Sequence, residues 1–367
     1  MKVLFSCVSL GIGGIERLVV DLYKFLKSNP DYGITPGILV LKRKSGFTEE
    51  VENNSDVFIL SNEDKKIKTS SFSLYPKFRR IVKSFKPDII HFNGYPSEFI
   101  GSLSSFNLPI KRISHIHNFH FIGGKKRIFK YKLLNPFLHG FIYVSQAVKN
   151  SVNPLYNPLN KPAITLYNFI IPERINELKK EKLNRKDLNI PENATVALFV
   201  GRLTENKNVE SLLKAVKIIN TKHQNFYLII VGGGKLEKKL QNYARAQKLN
   251  NVIFTGFDPN PIKYMKISDI FVLPSKVEGF GIAHLEAMYC GLPAVISKNV
   301  PSAEIANQCS VITDTTPQSI ANGILELIKD KKLRENFSKE AKKIAHQYTI
   351  QNYVLKLRDF YSSIKTS

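Results

Sequence analysis

Two stretches of the chain repeat one pattern of apolar and polar positions. Residues 3–8 (Val-Leu-Phe-Ser-Cys-Val) form an almost unbroken apolar run. A glycine-bearing turn follows, Gly11-Ile12-Gly13-Gly14, and residues 15–27 then carry apolar side chains at helical spacing. Further strand-like runs are predicted at residues 35–41, 57–60, 88–92, 111–115 and 140–144, with helical patterns between them, notably at 76–85. Strands of this kind alternating with helices predict βαβ units around a parallel sheet. Residues 176–193 are rich in Lys and Glu and read as a linker with a short helix. The pattern then restarts, with a strand at 195–200, a turn at 201–207 and a helix at 208–220. Strands at 226–231, 251–255, 270–274 and 293–297 continue it, the first ending in Gly232-Gly233-Gly234. In the closing segment, 351–365, Tyr353, Val354, Leu357, Phe360 and Tyr361 recur at helical spacing, and this helix could pack on either half.

The expected organisation is therefore α/β throughout. An N-terminal Rossmann-like domain covers 1–172, a linker 173–193 and a C-terminal Rossmann-like domain 194–350, with 351–367 able to return to the first domain. A length of 367 residues fits two domains, and 43% hydrophobic with 23% charged residues is a globular mix. No run of 18 apolar residues predicts a spanning helix. The opening run has one basic residue and no small-x-small site, so it is expected to be a buried first strand rather than a signal peptide. The three cysteines form no CxxC pair, which supports neither a disulfide framework nor a zinc knuckle. A cytosolic protein is the expectation.

Charge changes this picture. Fifty-four Lys and Arg against 30 Asp and Glu give a net charge of +24, which makes nucleic acid, an anionic membrane face or phosphorylated ligands the candidate partners. Residues 99–172 hold no acid but nine Lys or Arg and four His, and residues 65–87 hold eight basic residues and no acid. In 76–87, Lys77, Arg79, Arg80, Lys83 and Lys86 accompany Phe78, Ile81, Val82 and Phe85, an arrangement that suits a helix lying in a membrane interface. In the same manner Lys125, Lys126, Arg127, Lys130 and Lys132 alternate with Ile128, Phe129, Tyr131, Leu133 and Leu134. Ordinary core faces with solvated backs account for the same two patterns.

The residues richest in chemistry are 274–287, Pro-Ser-Lys-Val-Glu-Gly-Phe-Gly-Ile-Ala-His-Leu-Glu-Ala. A buried strand ends at Pro274, and a glycine-containing loop feeds a helix beginning near Ile282. Free amides at such a helix start are a natural phosphate seat, bracketed here by Glu278 and Glu286. A fixed carboxylate is the acceptor that suits vicinal sugar hydroxyls. A helix with an acidic cap and a surface glutamate accounts for the same residues.

The Glu-x7-Glu spacing with Gly279-Phe280-Gly281, followed by Leu-Glu-Ala-Met and Cys-Gly-Leu-Pro, resembles the family 4 retaining glycosyltransferases of the GT-B fold. Supporting pieces follow in family order: Gly13-Gly14-Ile15-Glu16-Arg17, Pro87-Asp88-Ile89-Ile90-His91, His115-Ile116-His117-Asn118, Val144-Ser145, Tyr167-Asn168, and Gly201-Arg202-Leu203 with Lys207. The look is that of bacterial transferases of capsule, exopolysaccharide and O-antigen assembly. The resemblance implies two parallel sheets facing across a cleft, the first domain binding an acceptor and the second a nucleotide-diphosphate sugar, a UDP-sugar first. It implies that Glu286 holds the ribose and Glu278 a hydroxyl of the donor sugar. Arg202 and Lys207 would hold the diphosphate and neutralise the leaving group, with the amides of Phe280, Gly281 and Ile282 completing the cradle. Gly13 and Gly14 would let the first loop approach donor or acceptor, and His117 would face the sugar. The segment Gly256-Phe257-Asp258-Pro259 should meet the nucleobase.

His115, His117 and His120 invite a zinc reading, but no Cys or carboxylate lies near them in sequence, and His115 and His120 are taken as structural. His284 receives no role. Asn168 lacks the family's following glycine, and Lys235 stands where an Arg often appears further on. No Asp-x-Asp occurs, so neither a metal nor another cofactor is expected, and departure and attack on one face of the sugar is the expected route. The acceptor would be lipid-linked or an oligosaccharide, reached from the inner face of the plasma membrane. Two other classes compete: a nucleotide-sugar epimerase of the same architecture, and a basic nucleic-acid-binding protein. The second lacks zinc-finger spacing, an RNP-type motif and a basic coiled coil.

Overall fold

The computed structural model describes residues 1–63, 66–119, 129 and 132–366. It divides into two compact units, Met1–Asn168 with Ile350–Ser367, and Phe169–Thr349.

In the first unit, β1 (Lys2–Cys7), β2 (Thr35–Val40), β3 (Val57–Ile59), β4 (Ile89–Asn93), β5 (Lys111–Ile116), β6 (Gly140–Tyr143) and β7 (Ala163–Thr165) form one sheet in the order 3-2-1-4-5-6-7. All pairs are parallel. The central strands are apolar on both faces because both are covered; Val3, Leu4 and Phe5 are fully buried. Its helices include α1 (Gly14–Ser28), α2 (Leu74–Phe85), α3 (Tyr95–Ser104), α4 (Gln146–Tyr156) and the C-terminal helix (Ile350–Thr366). The last packs back on this sheet. A Cβ at Gly140 would stand 3.2 Å from Phe360 Cζ and nearer still to Ile364.

The structure corrects the interfacial reading of α2. Leu74, Phe78 and Val82 are buried, and Ile81 and Phe85 are half-buried, so the apolar stripe is a core face. Only Lys77, Arg80, Lys83 and Lys86 face solvent, since Arg79 is drawn down to the Ser104 carbonyl at 2.8 Å. In the second stretch, Lys125, Lys126, Arg127, Ile128, Lys130 and Tyr131 lie outside the described residues, as does His120. Phe129 and Leu133 are exposed, whereas Leu134 is buried. No helix among the described residues is long and apolar enough to cross a membrane.

In the second unit, β8 (Thr195–Val200), β9 (Phe226–Val231), β10 (Val252–Gly256), β11 (Ile270–Leu273), β12 (Ala294–Ser297) and β13 (Ser310–Thr313) form a parallel sheet in the order 10-9-8-11-12-13. Its helices are α5 (Pro172–Leu178), α6 (Val209–Asn220), α7 (Glu237–Ala246), α8 (Ile262–Ile267), α9 (Ile282–Cys290), α10 (Ala303–Ala306), α11 (Pro317–Lys329) and α12 (Lys331–Ala345). Residues 173–193, expected as a linker, belong to this unit. Arg185 ties them to its body through the carbonyls of Ile267 (3.0 Å) and Ala194 (2.8 Å) and the Asp269 carboxylate (3.0 Å). Both sheets reverse strand order at a central pair, β1/β4 and β8/β11. Open parallel sheets bind ligands beyond the strand ends at such a reversal.

Candidate active site

In the second unit the two central strands release the loops that carry the sequence-predicted residues. The chain leaves β8 through Gly201-Arg202 and turns at Glu205–Lys207 into α6. It leaves β11 through Pro274 and reaches α9 at Ile282. A backbone bond from Lys276 N–H to the Asn206 carbonyl (2.7 Å) joins the two loops. Asn208 joins them again. It is buried, adopts a left-handed conformation (φ 57°), and donates its side-chain amide to the carbonyls of Pro274 (3.1 Å) and Thr315 (2.9 Å). Sequence reasoning passed over Asn208. The signal was available, since Asn is the residue that tolerates this conformation at a turn.

This stitching brings Lys207 and Glu278 together. The ammonium of Lys207 donates to the Glu278 carboxylate, and both side chains are about four-fifths buried (19% and 18% exposed). Ser275 Oγ lies 3.4 Å from the same carboxylate oxygen. Arg202 is exposed and has no partner among the described residues. Gly279, Phe280 and Gly281 are buried, and Glu286 is half-buried one turn into α9. α9 starts at Ile282 with no side-chain cap, which leaves its first amides for a ligand. Gly281 is required by geometry. Its φ is 106°, and a Cβ there would meet Ser302 Oγ at 3.0 Å and Val300 Cγ1 at 3.1 Å.

His284, which received no role, supports this loop from beneath. Its ring is fully buried, with Nδ1 2.8 Å from Ser302 Oγ and Nε2 3.3 Å from Ser310 Oγ, and it stacks on Phe271. Ser302 in turn donates its N–H to the Phe280 carbonyl at 2.9 Å. Burial pushes the His284 imidazole down to about 3, so the ring is neutral under physiological conditions.

The triple glycine after β9 serves the backbone of the neighbouring loop. Gly232 has φ 136°, and a Cβ there would collide with the Gly201 carbonyl. Leu203 N–H donates to the Gly233 carbonyl at 2.9 Å, locking loop 232–236 against loop 201–203. Lys235 is exposed and faces Glu205 at 3.6 Å. Phe257 is 63% exposed beside Gly233, whereas Asp258 is occupied by Lys263 and the Tyr264 hydroxyl, each at 2.9 Å.

In the first unit Gly13 precedes α1 without a side-chain cap, and Gly14 opens the helix. Arg17 is neutralised by Asp21 and by Glu50 at 2.8 Å. His117 follows β5 and is buried, with Nε2 2.9 Å from the Asn93 side-chain oxygen, and its ring lies against His115, tilted by 33° with centroids 3.8 Å apart. Among the described residues no three His, Cys, Asp or Glu side chains converge on one point.

Comparison with known proteins covers both units. The family description "Glycosyl transferases group 1" matches residues 180–344, and "Glycosyltransferase Family 4" matches residues 12–174. A glycosyltransferase of Methanocaldococcus jannaschii is 30% identical over 279 residues, 71% of each chain. The Escherichia coli UDP-Gal:alpha-D-GlcNAc-diphosphoundecaprenol alpha-1,3-galactosyltransferase is 25% identical over 370 residues, covering 95% of this chain and 94% of its own. Among solved structures, Anabaena HepE in complex with UDP and glucose superposes with a TM-score of 0.80 at 22% identity, covering 99% of this chain and all of that one.

Proposed function

The chain belongs to the family 4 glycosyltransferases with the GT-B fold, and on that premise we propose that it moves a sugar from a UDP-sugar to a hydroxyl of a lipid-linked or oligosaccharide acceptor, with retention at the anomeric carbon. Family membership sets aside the epimerase and nucleic-acid readings. The observation that carries the proposal is the Lys207–Glu278 ion pair at the reversal point of the second sheet, beside the uncapped start of α9. A diphosphate arriving there draws Lys207 and the exposed Arg202 onto its oxygens, and Glu278, released from Lys207, accepts from a hydroxyl of the sugar. Glu286 accepts from the ribose hydroxyls, and Phe257 lies under the base. The uridine preference draws support from the galactosyltransferase relative, whose donor is UDP-Gal, and from HepE, which was crystallised with UDP.

In the transfer step the bond from C1 to the phosphate oxygen breaks and a bond from the acceptor oxygen to C1 forms on the same face. The acceptor proton passes to the departing phosphate oxygen. Negative charge grows on that phosphate, so Arg202, Lys207 and the α9 amides act most strongly in the transition state. The same two cations take the place of a divalent metal, which fits the absence of an Asp-x-Asp sequence. We keep His117 of the first unit as a catalytic candidate.

The proposed location is the inner face of the plasma membrane, held by basic side chains rather than by an inserted helix. The support is the solvent-facing Lys77, Arg80, Lys83 and Lys86, with the exposed Phe72 preceding their helix. A thermal-shift panel of UDP, GDP, ADP and their sugar conjugates tests the donor. Stabilisation by UDP and one UDP-sugar above the others is expected; no response to any nucleotide would overturn the reading.

A further inference from the structure

A line of hydrogen-bonded rings runs through the first unit beneath His117. Tyr361, on the C-terminal helix, is fully buried, and its hydroxyl lies 2.5 Å from His91 Nδ1. The other nitrogen of His91, Nε2, lies 3.0 Å from His115 Nδ1. The ring of His115 then lies against that of His117, their centroids 3.8 Å apart and their planes tilted by 33°. His91 comes from β4 and His115 from β5, so the line climbs toward the carboxyl end of the sheet. Burial drives both rings to the neutral form: His91 falls to about 3 and His115 lies well below its ordinary value.

Neutral imidazoles in series have two protonation orders. In the first, the Tyr361 hydroxyl donates to His91 Nδ1, His91 donates from Nε2 to His115 Nδ1, and His115 carries its proton on Nε2. In the second every bond is reversed, and the Tyr361 hydroxyl becomes an acceptor whose own proton needs a partner. Among the described residues no other acceptor faces that hydroxyl. His115 Nε2 has no partner among the described residues in either order. The first order thus leaves one buried polar atom unsatisfied and the second leaves two. A buried group left unpaired costs about 1–3 kcal/mol, which is enough to select the first order. Asn93 fixes His117 separately. Its amide nitrogen lies 3.4 Å from the His91 carbonyl, which turns its oxygen toward His117 Nε2.

We propose that Tyr361 is a positioning residue for His117: its hydroxyl sets the tautomers of His91 and His115, and the ring of His115 so held supports His117. The inference rests on the proposed catalytic role of His117. It gives the C-terminal helix a part in the reaction.

The test uses the full chain labelled with 15N-histidine, as wild type, Tyr361→Phe and His117→Ala. In wild type, His91 and His115 are expected to carry their protons on Nε2. In Tyr361→Phe one or both should shift to Nδ1 or to a mixture. In steady-state kinetics, Tyr361→Phe should lower kcat, by up to about a hundredfold if His117 shifts by about 1 Å, with KM for the donor unchanged. His91→Leu breaks the line one link further on, and should move the His115 tautomer and kcat in the same direction. Identical tautomers in wild type and Tyr361→Phe overturn the proposal. Altered tautomers with unchanged kcat overturn it too, provided that His117→Ala is slow. If His117→Ala keeps the full rate, the placement of His117 has failed, and the proposal falls with it.

Discussion

Asn208 offers a direct test of how the donor loops are held. Its side-chain amide makes two hydrogen bonds, to the carbonyls of Pro274 and Thr315, and its backbone sits at φ 57°. Three substitutions separate these contributions. Asn208→Gly keeps the backbone geometry at ease and removes both bonds. At about 1 kcal/mol net for each, the loss is about 2 kcal/mol. Asn208→Ala removes the same bonds and adds a left-handed penalty of about 1 kcal/mol, for a loss near 3 kcal/mol. Asn208→Asp keeps the shape but points an oxygen at two carbonyl oxygens, and a buried carboxylate without donors costs several kcal/mol. The expected order of stability is therefore parent, Gly, Ala, Asp. The chain has no Trp, so circular dichroism or calorimetry is the suitable readout of unfolding. For units of this size each kcal/mol moves Tm by about 2–4 °C. UDP affinity should fall in the same order, because the loops bearing Lys207 and Glu278 drift apart. Parent-like stability of Asn208→Asp refutes the hydrogen bonds, and Asn208→Gly falling below Asn208→Ala refutes the backbone argument.

Glu286→Ala should weaken UDP binding by about 1.5–3 kcal/mol, the contribution of a hydrogen bond to a charged acceptor; titration calorimetry giving parent-like affinity would remove the ribose contact. Arg202→Ala is expected to lower kcat at least as much as it raises the donor KM, since charge on the phosphate peaks in the transition state. A pure KM effect in steady-state kinetics would contradict this. Activity should persist in excess EDTA, and loss of rate restored by magnesium or manganese would contradict the cation role of Arg202 and Lys207. In liposome flotation the protein should bind anionic but not neutral vesicles and release near 1 M salt, where the Debye length is about 3 Å. Reversing Lys77, Arg80 and Lys83 to Glu should abolish that binding, and equal recovery on both vesicle types would rule out electrostatic docking.

Much of the fold is legible because buried parallel strands write themselves as apolar runs. The run 195–200 coincides with β8 and 226–231 with β9, and the start of α9 at Ile282 follows from the glycine loop before it. The strands left unread are β7 and β13, edge strands with the sequences Ala-Ile-Thr and Ser-Val-Ile-Thr, which lack the unbroken apolar run that marks β3 (Val-Phe-Ile). α12 was also missed, because only Ala341 and Ala345 of its fifteen residues are buried and its pattern is nearly all polar. On the site, spacing marks Glu278 and Glu286, and the family resemblance Lys207, as residues of interest but not their contacts. That Lys207 meets Glu278 depends on Asn208 and on the Lys276–Asn206 backbone bond, which join segments about 70 residues apart in sequence. The glycines after β9 show in sequence only as a strand end; that Gly232 is there to clear the Gly201 carbonyl needs the neighbouring loop to be seen. Periodicity gives the same stripe on α2 for a core face and for a membrane face; only the burial of Phe78 and Val82 decides between them.

The return of the C-terminal helix to the first sheet reverses the usual order of biosynthesis. Domains generally fold as they leave the ribosome, the N-terminal one first, at roughly 5–20 residues per second. Here the nascent unit Met1–Asn168 emerges without Tyr361, Phe360 and Ile364, so the sheet face around His91 and Gly140 stays uncovered. It stays so while Phe169–Thr349 is translated, on the order of ten to thirty seconds. The unit made first is thus the last to be completed, and in that interval it exposes apolar surface to other nascent chains and to chaperones. A stop codon ahead of residue 350 would leave that face permanently bare, and residues 1–168 expressed alone should collect in inclusion bodies unless the missing helix is supplied as a separate peptide.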